Sequence, residues 1–384
     1  LAAKTATSVN KKIVIVSPAH PLRGGIAAST ERLAVELQKK GLSVVIYSYS
    51  LQYPGFLFPG KTQFTSDPPP LGANGKPLHI VTCINSVNPL SWILTGLRIA
   101  SEQPDQVIVR FWLPFMGPAL GTLLRIARWR TRTRVTGLVD NIIPHEKRPG
   151  DRLFARYFTG ACDDFLVMSK SVGEEIRLFS GKPVVFSPHP LYDNYGELQN
   201  RDTARKTLGI PAEAQVALFF GFIRQYKGFD LFLRALAHTP HIHALVAGEC
   251  YEDWASYQQI IDDNDMTERV HIVTDFIPSE QVSLYFSAAD IVVQPYRSAT
   301  QSGISQIAYH FGLPMIVSNV GGLPEIVTDK VSGYVVTPDA ASVSDALNDF
   351  FENNRNEEMR IGVQREKERF TWDKMADALI RKPA

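Results

Sequence analysis

A chain of 384 residues, 45% apolar and 21% charged, has the length of two or three domains of about 100–200 residues and too much apolar material for disorder. Its three cysteines, Cys83, Cys162 and Cys250, lie far apart with no C-x-x-C pairing, which excludes a disulfide scaffold and a zinc ribbon and suits a reducing compartment such as the cytoplasm. No apolar run reaches the about 18 residues of a membrane span, and residues 1–10 lack the apolar core of a signal peptide and read as a tail.

The net charge of +1 hides a strong asymmetry. Up to Phe186 there are 10 Lys and 13 Arg against 12 acidic residues, or +11; from Ser187 onward 17 basic residues face 27 acidic ones, or −10. The basic half favours an anionic partner: phosphate, nucleic acid or a membrane surface.

In chain order, the short apolar runs Ile13–Val16, Val44–Tyr47, His79–Val81, Gln106–Val109, Val135–Val139 and Phe165–Met168 each read as a buried parallel strand. The rhythm repeats at Val216–Phe220, Ala244–Ala247, Val270–Val273, Ile291–Gln294, Met315–Ser318 and Tyr334–Val336. Strands alternating with helical segments predict two doubly wound α/β domains of about six strands each. The boundary falls at Ser187-Pro188-His189-Pro190, giving domains 1–186 and 187–365. Residues 53–76, rich in Pro and Gly, form a long loop with the character of a flap or insertion. After Thr371, the residues Trp372, Met375, Ala376, Leu379 and Ile380 fall on one face of a helix, placed at about 366–384, that must dock on something.

Three segments carry chemistry. Ser17–Gly25 follows the first strand and opens a helix whose core stripe includes Leu33 and Leu37; Gly24 and Gly25 let backbone N–H groups approach an anion at the helix start. The pattern is not G-x-G-x-x-G, so a dinucleotide fingerprint is absent, and a tight structural turn is the competing reading. Gly221–Gly228 follows the first strand of the second domain, and its cations Arg224 and Lys227, three residues apart, can grip a diphosphate. Pro295–Ile304 offers Thr300, Gln301, Ser302 and Gly303 as donors to phosphate oxygens, beside the turn Asn319–Gly322 and Glu325. The run Arg125–Arg134, with Trp129 inside it, suits anionic lipid headgroups; ordinary solvated surface competes, and no nucleic-acid motif accompanies it.

These segments together, with Ala289–Pro295, Gly312-Leu313-Pro314, Gly321-Gly322…Glu325…Gly333 and the closing Phe370-Thr371-Trp372, resemble the family 4 glycosyltransferases over nearly the whole chain. The resemblance implies a GT-B fold, two Rossmann-like domains with the last helix crossing back to the first. It implies a hexose moved from a nucleotide diphosphate sugar to a glycan or lipid-linked glycan hydroxyl, with retention and with neither metal nor cofactor. The acceptor would lie mainly on the first domain, the donor on the second, and the protein would act from the cytoplasm, peripheral to a membrane.

On that resemblance Asp275–Pro278, with Phe276 and Ile277, cradles the base, although periodicity alone makes Phe276 a core residue. His145 would lie near the transferred sugar, with Asn141 and Asp140 beside it. The family's two glutamates, eight positions apart, are replaced by Ala299 and Ile307, leaving Gln301 and Gln306 as the nearest polar substitutes; Phe222 holds the usual arginine position, two residues before Arg224. A binding subunit that has lost catalysis, and a sugar-nucleotide 2-epimerase, are the alternative readings.

Overall fold

The computed structural model describes residues 11–55, 63–65, 68–129, 131–143, 149–192, 195–299 and 302–381. The chain divides into two compact units, Leu1–Pro188 with Trp372–Ala384, and His189–Thr371. The second thus runs beyond 365, because a helix at Asn356–Lys367 and a 3-10 turn at Glu368–Phe370 precede Trp372.

In the first unit the strands are β1 Lys12–Val16, β2 Ser43–Leu51, β3 Ile80–Asn85, β4 Gln106–Phe111, β5 Arg134–Val139, β6 Asp164–Val167 and β7 Val184–Phe186. They form one sheet in the order β3-β2-β1-β4-β5-β6-β7, every neighbouring pair parallel. Its central strands are buried on both faces, which is why they read as unbroken Val/Ile runs. The helices are α1 Gly25–Lys39, α2 Pro89–Glu102, α3 Gly117–Ala127, α4 Asp151–Thr159, α5 Lys170–Arg177 and, from the chain's end, α13 Trp372–Ile380. Trp372, Met375, Ala376 and Leu379 pack with Leu33, Ala34 and Leu37 of α1 in one apolar cluster. Lys40 holds the same helix through Asp373 and Asp377, at 2.5 and 2.7 Å. The opposite cluster joins the sheet to α2, α3 and α4, through Ile99, Leu120, Leu124 and Phe158.

The second unit comprises α6 Arg201–Thr207, β8 Gln215–Phe220, α7 Phe229–Ala237, β9 Ile242–Ala247, α8 Trp254–Asp263, β10 Val270–Val273, α9 Val282–Ala288, β11 Ile291–Gln294, α10 Gly303–His310, β12 Met315–Ser318, β13 Gly333–Val336, α11 Ala340–Glu352 and α12 Asn356–Lys367. Its sheet runs β10-β9-β8-β11-β12-β13, again parallel. Arg205, fully buried, is paid for by Asp290 at 3.0 Å and by the carbonyls of Ala214 and Ala288.

In each sheet the strand order reverses once, between β1 and β4 and between β8 and β11. In an open α/β sheet that reversal leaves a crevice beyond the carboxyl ends of the two strands, because the following loops diverge to opposite faces. The Gly24-Gly25 loop follows β1; the Arg224/Lys227 loop follows β8, and the Ser302 loop follows β11.

Candidate functional site

The second unit's switch point is built by two loops tied to each other. Arg297, after β11, reaches the loop after β8: its guanidinium grips both carboxylate oxygens of Asp230 at 2.7 and 2.8 Å and donates to the Gln225 carbonyl at 2.8 Å. Its own N–H donates to the Tyr226 carbonyl at 2.7 Å. At Gly228 the backbone adopts φ 66°, and a Cβ there would stand 2.1 Å from the Pro295 carbonyl oxygen. No side chain fits, so glycine is what lets the loops touch.

Within this frame Lys227 is buried, with 8% exposure, and none of the described residues supplies its ammonium with a carboxylate. Desolvation, reinforced by the charge of Arg224, pulls its pKa down to about 8. Nζ stands 5.4 Å from the ring centre of Tyr296 and 5.9 Å from that of Phe222. A Cβ on Gly221 would lie 3.2 Å from Nζ and 3.3 Å from Cδ1 of Ile304, so the ammonium adjoins the first turn of α10. Ser302 occupies the N-cap of α10 with no side-chain capping bond, leaving first-turn N–H groups for another acceptor. Arg224 is exposed, its guanidinium 4.7 Å above the Tyr251 ring and 5.9 Å from that of Phe222. Tyr251 is fixed in turn, its hydroxyl donating to Glu249 at 2.8 Å. A buried cation, an exposed cation and a helix start share one crevice, an arrangement that stabilises a multiply charged anion.

The sequence-predicted residues fall unevenly around this point. Arg224, Lys227, Ser302 and Gly303 come together, while Thr300 and Gln301 lie outside the described residues. Gln306 is buried on α10, and its Oε1 has no partner among the described residues. Ala299 packs at the edge of the apolar core and Ile307 lies within it. Phe276 is 67% exposed just beyond β10, which corrects the core position that periodicity assigns it; Ile277 packs inward instead. Phe276 and Ile277 follow the outermost strand of this sheet, and Glu325 follows β12, each at the carboxyl edge but away from the switch point. Tyr251 and the Arg297–Asp230 clamp are not anticipated. Gly248 directly after β9 is the sequence sign of a close turn there, but nothing local pairs Arg297 with Asp230, 67 positions away.

In the first unit Gly24 is the N-cap of α1 and Gly25 its first residue, both exposed. Asp140, immediately after β5, does not turn to Asn141: it takes a two-bond grip from Arg110, Nε to Oδ2 at 2.7 Å and Nη2 to Oδ1 at 2.9 Å. The same guanidinium donates to Ser29 Oγ and, at 3.4 Å, to the Ile26 carbonyl, so Arg110 links the β5 loop to the first turn of α1. His145 lies outside the described residues. In the run Arg125–Arg134, three arginines are engaged within the fold, Arg125 covering the Tyr157 ring at 4.1 Å, Arg128 pairing with Asp163 at 2.9 Å and Arg134 with Asp164 at 2.7 Å, while Arg132 is exposed and Arg130 lies outside the described residues. The cavity of about 720 Å³ in this unit lies at the sheet's other edge, between Gln103, Thr133 and Ile380. Among the described residues no cluster of three His, Cys, Asp or Glu side chains suits a metal ion, and no helix is long and apolar enough to cross a membrane.

Residues 200–368 match the family model for glycosyl transferases group 1. A D-inositol 3-phosphate glycosyltransferase of Mycolicibacterium smegmatis is 29% identical over 189 residues, 47% of this chain and 42% of that protein. D-inositol 3-phosphate glycosyltransferase 1 of Catenulispora acidiphila is 28% identical over 306 residues, 74% of this chain and 73% of that protein. The chain therefore spans less than half the length of the first of these relatives and about three quarters of the second. Among solved structures, sucrose-phosphate synthase from Thermosynechococcus elongatus superposes with a TM-score of 0.70 at 17% identity, covering 96% of this chain and 97% of that one. Anabaena Alr3699/HepE in complex with UDP gives 0.69 at 16% identity, with 96% and 98% covered. The two parallel-sheet units are those of the GT-B fold that these solved structures share, and residues 200–368 are similar to the glycosyl transferases group 1.

Proposed function

We propose that this protein is a glycosyltransferase that moves a hexose from a nucleoside diphosphate sugar to a hydroxyl of a glycan, free or lipid-linked, with retention and without a metal. The observation that carries the reading is Lys227: a buried ammonium with no carboxylate among the described residues, beside Arg224 and the uncapped start of α10, at the switch point of its sheet. The named relatives are glycosyltransferases, and the Anabaena protein has been solved with UDP and with UDP-glucose, which supports a nucleotide sugar as donor.

As the bond from the sugar's anomeric carbon to the diphosphate breaks, negative charge grows on the leaving oxygens. Lys227, Arg224 and the N–H groups of Ser302 and Gly303 supply fixed positive potential there, and Thr300 and Gln301 add donors. Gln301 and Gln306 take the donor contacts that Ala299 and Ile307 cannot make, Glu325 adds a further contact to the donor, and Phe276 and Ile277 hold the base. The acceptor meets Gly24, Gly25, Asn141 and His145, while Asp140, just after β5, is held to the start of α1 through Arg110.

A second reading, a binding subunit that has lost catalysis, draws on Ile307 lying in the apolar core where the family carries a carboxylate. Melting curves against UDP-, GDP-, ADP- and dTDP-sugars name the donor: saturation at about 100 times the dissociation constant adds about 2.7 kcal/mol. Transfer assays follow with that donor. Loss of transfer in Lys227→Ala and Arg224→Ala supports the transferase, and unchanged transfer overturns it. Binding without turnover favours the second reading.

A further inference from the structure

Helix α2 has two apolar faces, and only one of them is used. Thr95, Gly96 and Ile99 are buried against the rest of the unit, and a Cβ on Gly96 would stand 2.7 Å from Cβ of Ile126, so the helix lies tightly on α3 by its small residues. The other face carries Leu90, Ile93, Leu94 and Leu97, at 68, 40, 66 and 43% exposure. Their i, i+3, i+4, i+7 spacing is that of a core stripe, yet in this unit they face solvent.

Such a stripe on the surface marks a contact with something apolar. The charges around it say what. On α2, α3 and α4, which pack side by side, every exposed charged residue is an arginine: Arg98, Arg125, Arg152 and Arg156. Glu102, which ends α2, is spent on Lys12 at 3.0 Å. A second copy of the chain is a poor occupant, because a two-fold contact through this face would set arginines against arginines. An apolar strip with a basic rim is complementary to anionic lipid: aliphatic side chains enter the acyl boundary while guanidinium groups meet the headgroups.

We propose that the outer face of α2 docks this protein on an anionic membrane surface, with Leu90, Ile93, Leu94 and Leu97 inserted and Arg98, Arg152 and Arg156 on the headgroups. This differs from docking through the run Arg125–Arg134, of which the fold already engages Arg125, Arg128 and Arg134. The helix starts at Pro89, just beyond the carboxyl end of β3, so it begins at the sheet edge that carries Gly24, Gly25 and Asn141. A hydroxyl on a lipid-borne glycan would arrive there, a consequence that rests on the transferase reading, whereas the docking itself does not.

The test is flotation of the full chain with phosphatidylcholine vesicles and with vesicles of phosphatidylcholine and phosphatidylglycerol. The wild type floats with the anionic vesicles. The double variant Leu94→Gln/Leu97→Gln, at exposed positions that leave the melting temperature in place, binds them about tenfold or more weakly. Arg98→Gln loses about fivefold, on anionic vesicles only. Absence of flotation by the wild type, equal flotation of the leucine variant, or a dimer on gel filtration that the leucine substitutions dissolve would each overturn the proposal. Calorimetry of the same proteins with UDP, GDP, ADP and dTDP in turn separates the two readings. UDP binding without flotation removes only the membrane face, and flotation without binding of any nucleotide removes only the transferase.

Discussion

Replacing Lys227 by Met should make the ligand-free protein more stable while weakening its grip on a diphosphate. Met keeps the length of the side chain and removes its charge. In the folded chain the Lys227 ammonium titrates at about 8 instead of 10.5, first because it is desolvated and then because Arg224 repels it. Each pKa unit corresponds to about 1.36 kcal/mol, so at neutral pH the folded state carries a penalty of up to about 3 kcal/mol. The sign follows from where the proton resides. Between pH 8 and 10.5 the unfolded chain still holds a proton that the folded chain has released, so stability rises with pH across that window. Below it the penalty is complete, and above it the penalty is gone. Urea denaturation of both proteins at neutral pH and at the top of the window measures this directly. Lys227→Met should gain up to about 3 kcal/mol at neutral pH, and the gain should vanish as the pH approaches 10.5. Its affinity for UDP should fall by about 10–100-fold, the worth of one charge-assisted hydrogen bond. A variant less stable than the wild type at neutral pH, or a difference that ignores pH, would refute the description of Lys227 as a buried cation with no carboxylate among the described residues.

Three further outcomes follow from the same geometry. Tyr251→Leu removes the ring beneath the Arg224 guanidinium and should cost about 0.5–1 kcal/mol of nucleotide affinity by calorimetry, while Tyr251→Phe retains it. In Gly228→Ala the new methyl would collide with the Pro295 carbonyl, so the two loops must part; both the melting temperature and nucleotide binding should drop. Asp140→Ala leaves the Arg110 guanidinium, whose side chain is 6% exposed, without its carboxylate, and should lower the unfolding free energy by about 3–5 kcal/mol in urea.

What the sequence discloses is what local pattern controls. Apolar runs such as Val216–Phe220 and Met315–Ser318 are strands because parallel sheets bury both faces, and their alternation with helices is enough to fix the architecture. β7, Val184–Phe186, escapes that reading: it is three residues long at the sheet's edge and only half-buried, so its run is too brief to register. Helix α2 shows a different limit of local pattern. Its leucine stripe looks like the buried face, but Gly96 and Thr95 allow a closer approach to α3 than leucines would, and the stripe is left outside. At the crevice, the spacing of Arg224 and Lys227 is visible in the chain; their different environments are not. One is buried and the other lies on an aromatic ring brought from the β9 loop, and both facts depend on residues distant in sequence. Phe276 shows the same limit, since hydrophobic character alone does not separate a core residue from one at an open edge.

The placement of α13 sets an order of assembly during synthesis. The second unit is one uninterrupted stretch, His189–Thr371, whereas the first needs Trp372–Ile380 to cover Leu33, Ala34 and Leu37 on α1. A ribosome therefore delivers everything the second unit requires before it delivers the last piece of the first. The half that begins the chain is the half that finishes folding later, and until α13 emerges it holds the apolar side of α1 open to chaperones or to the wrong neighbours.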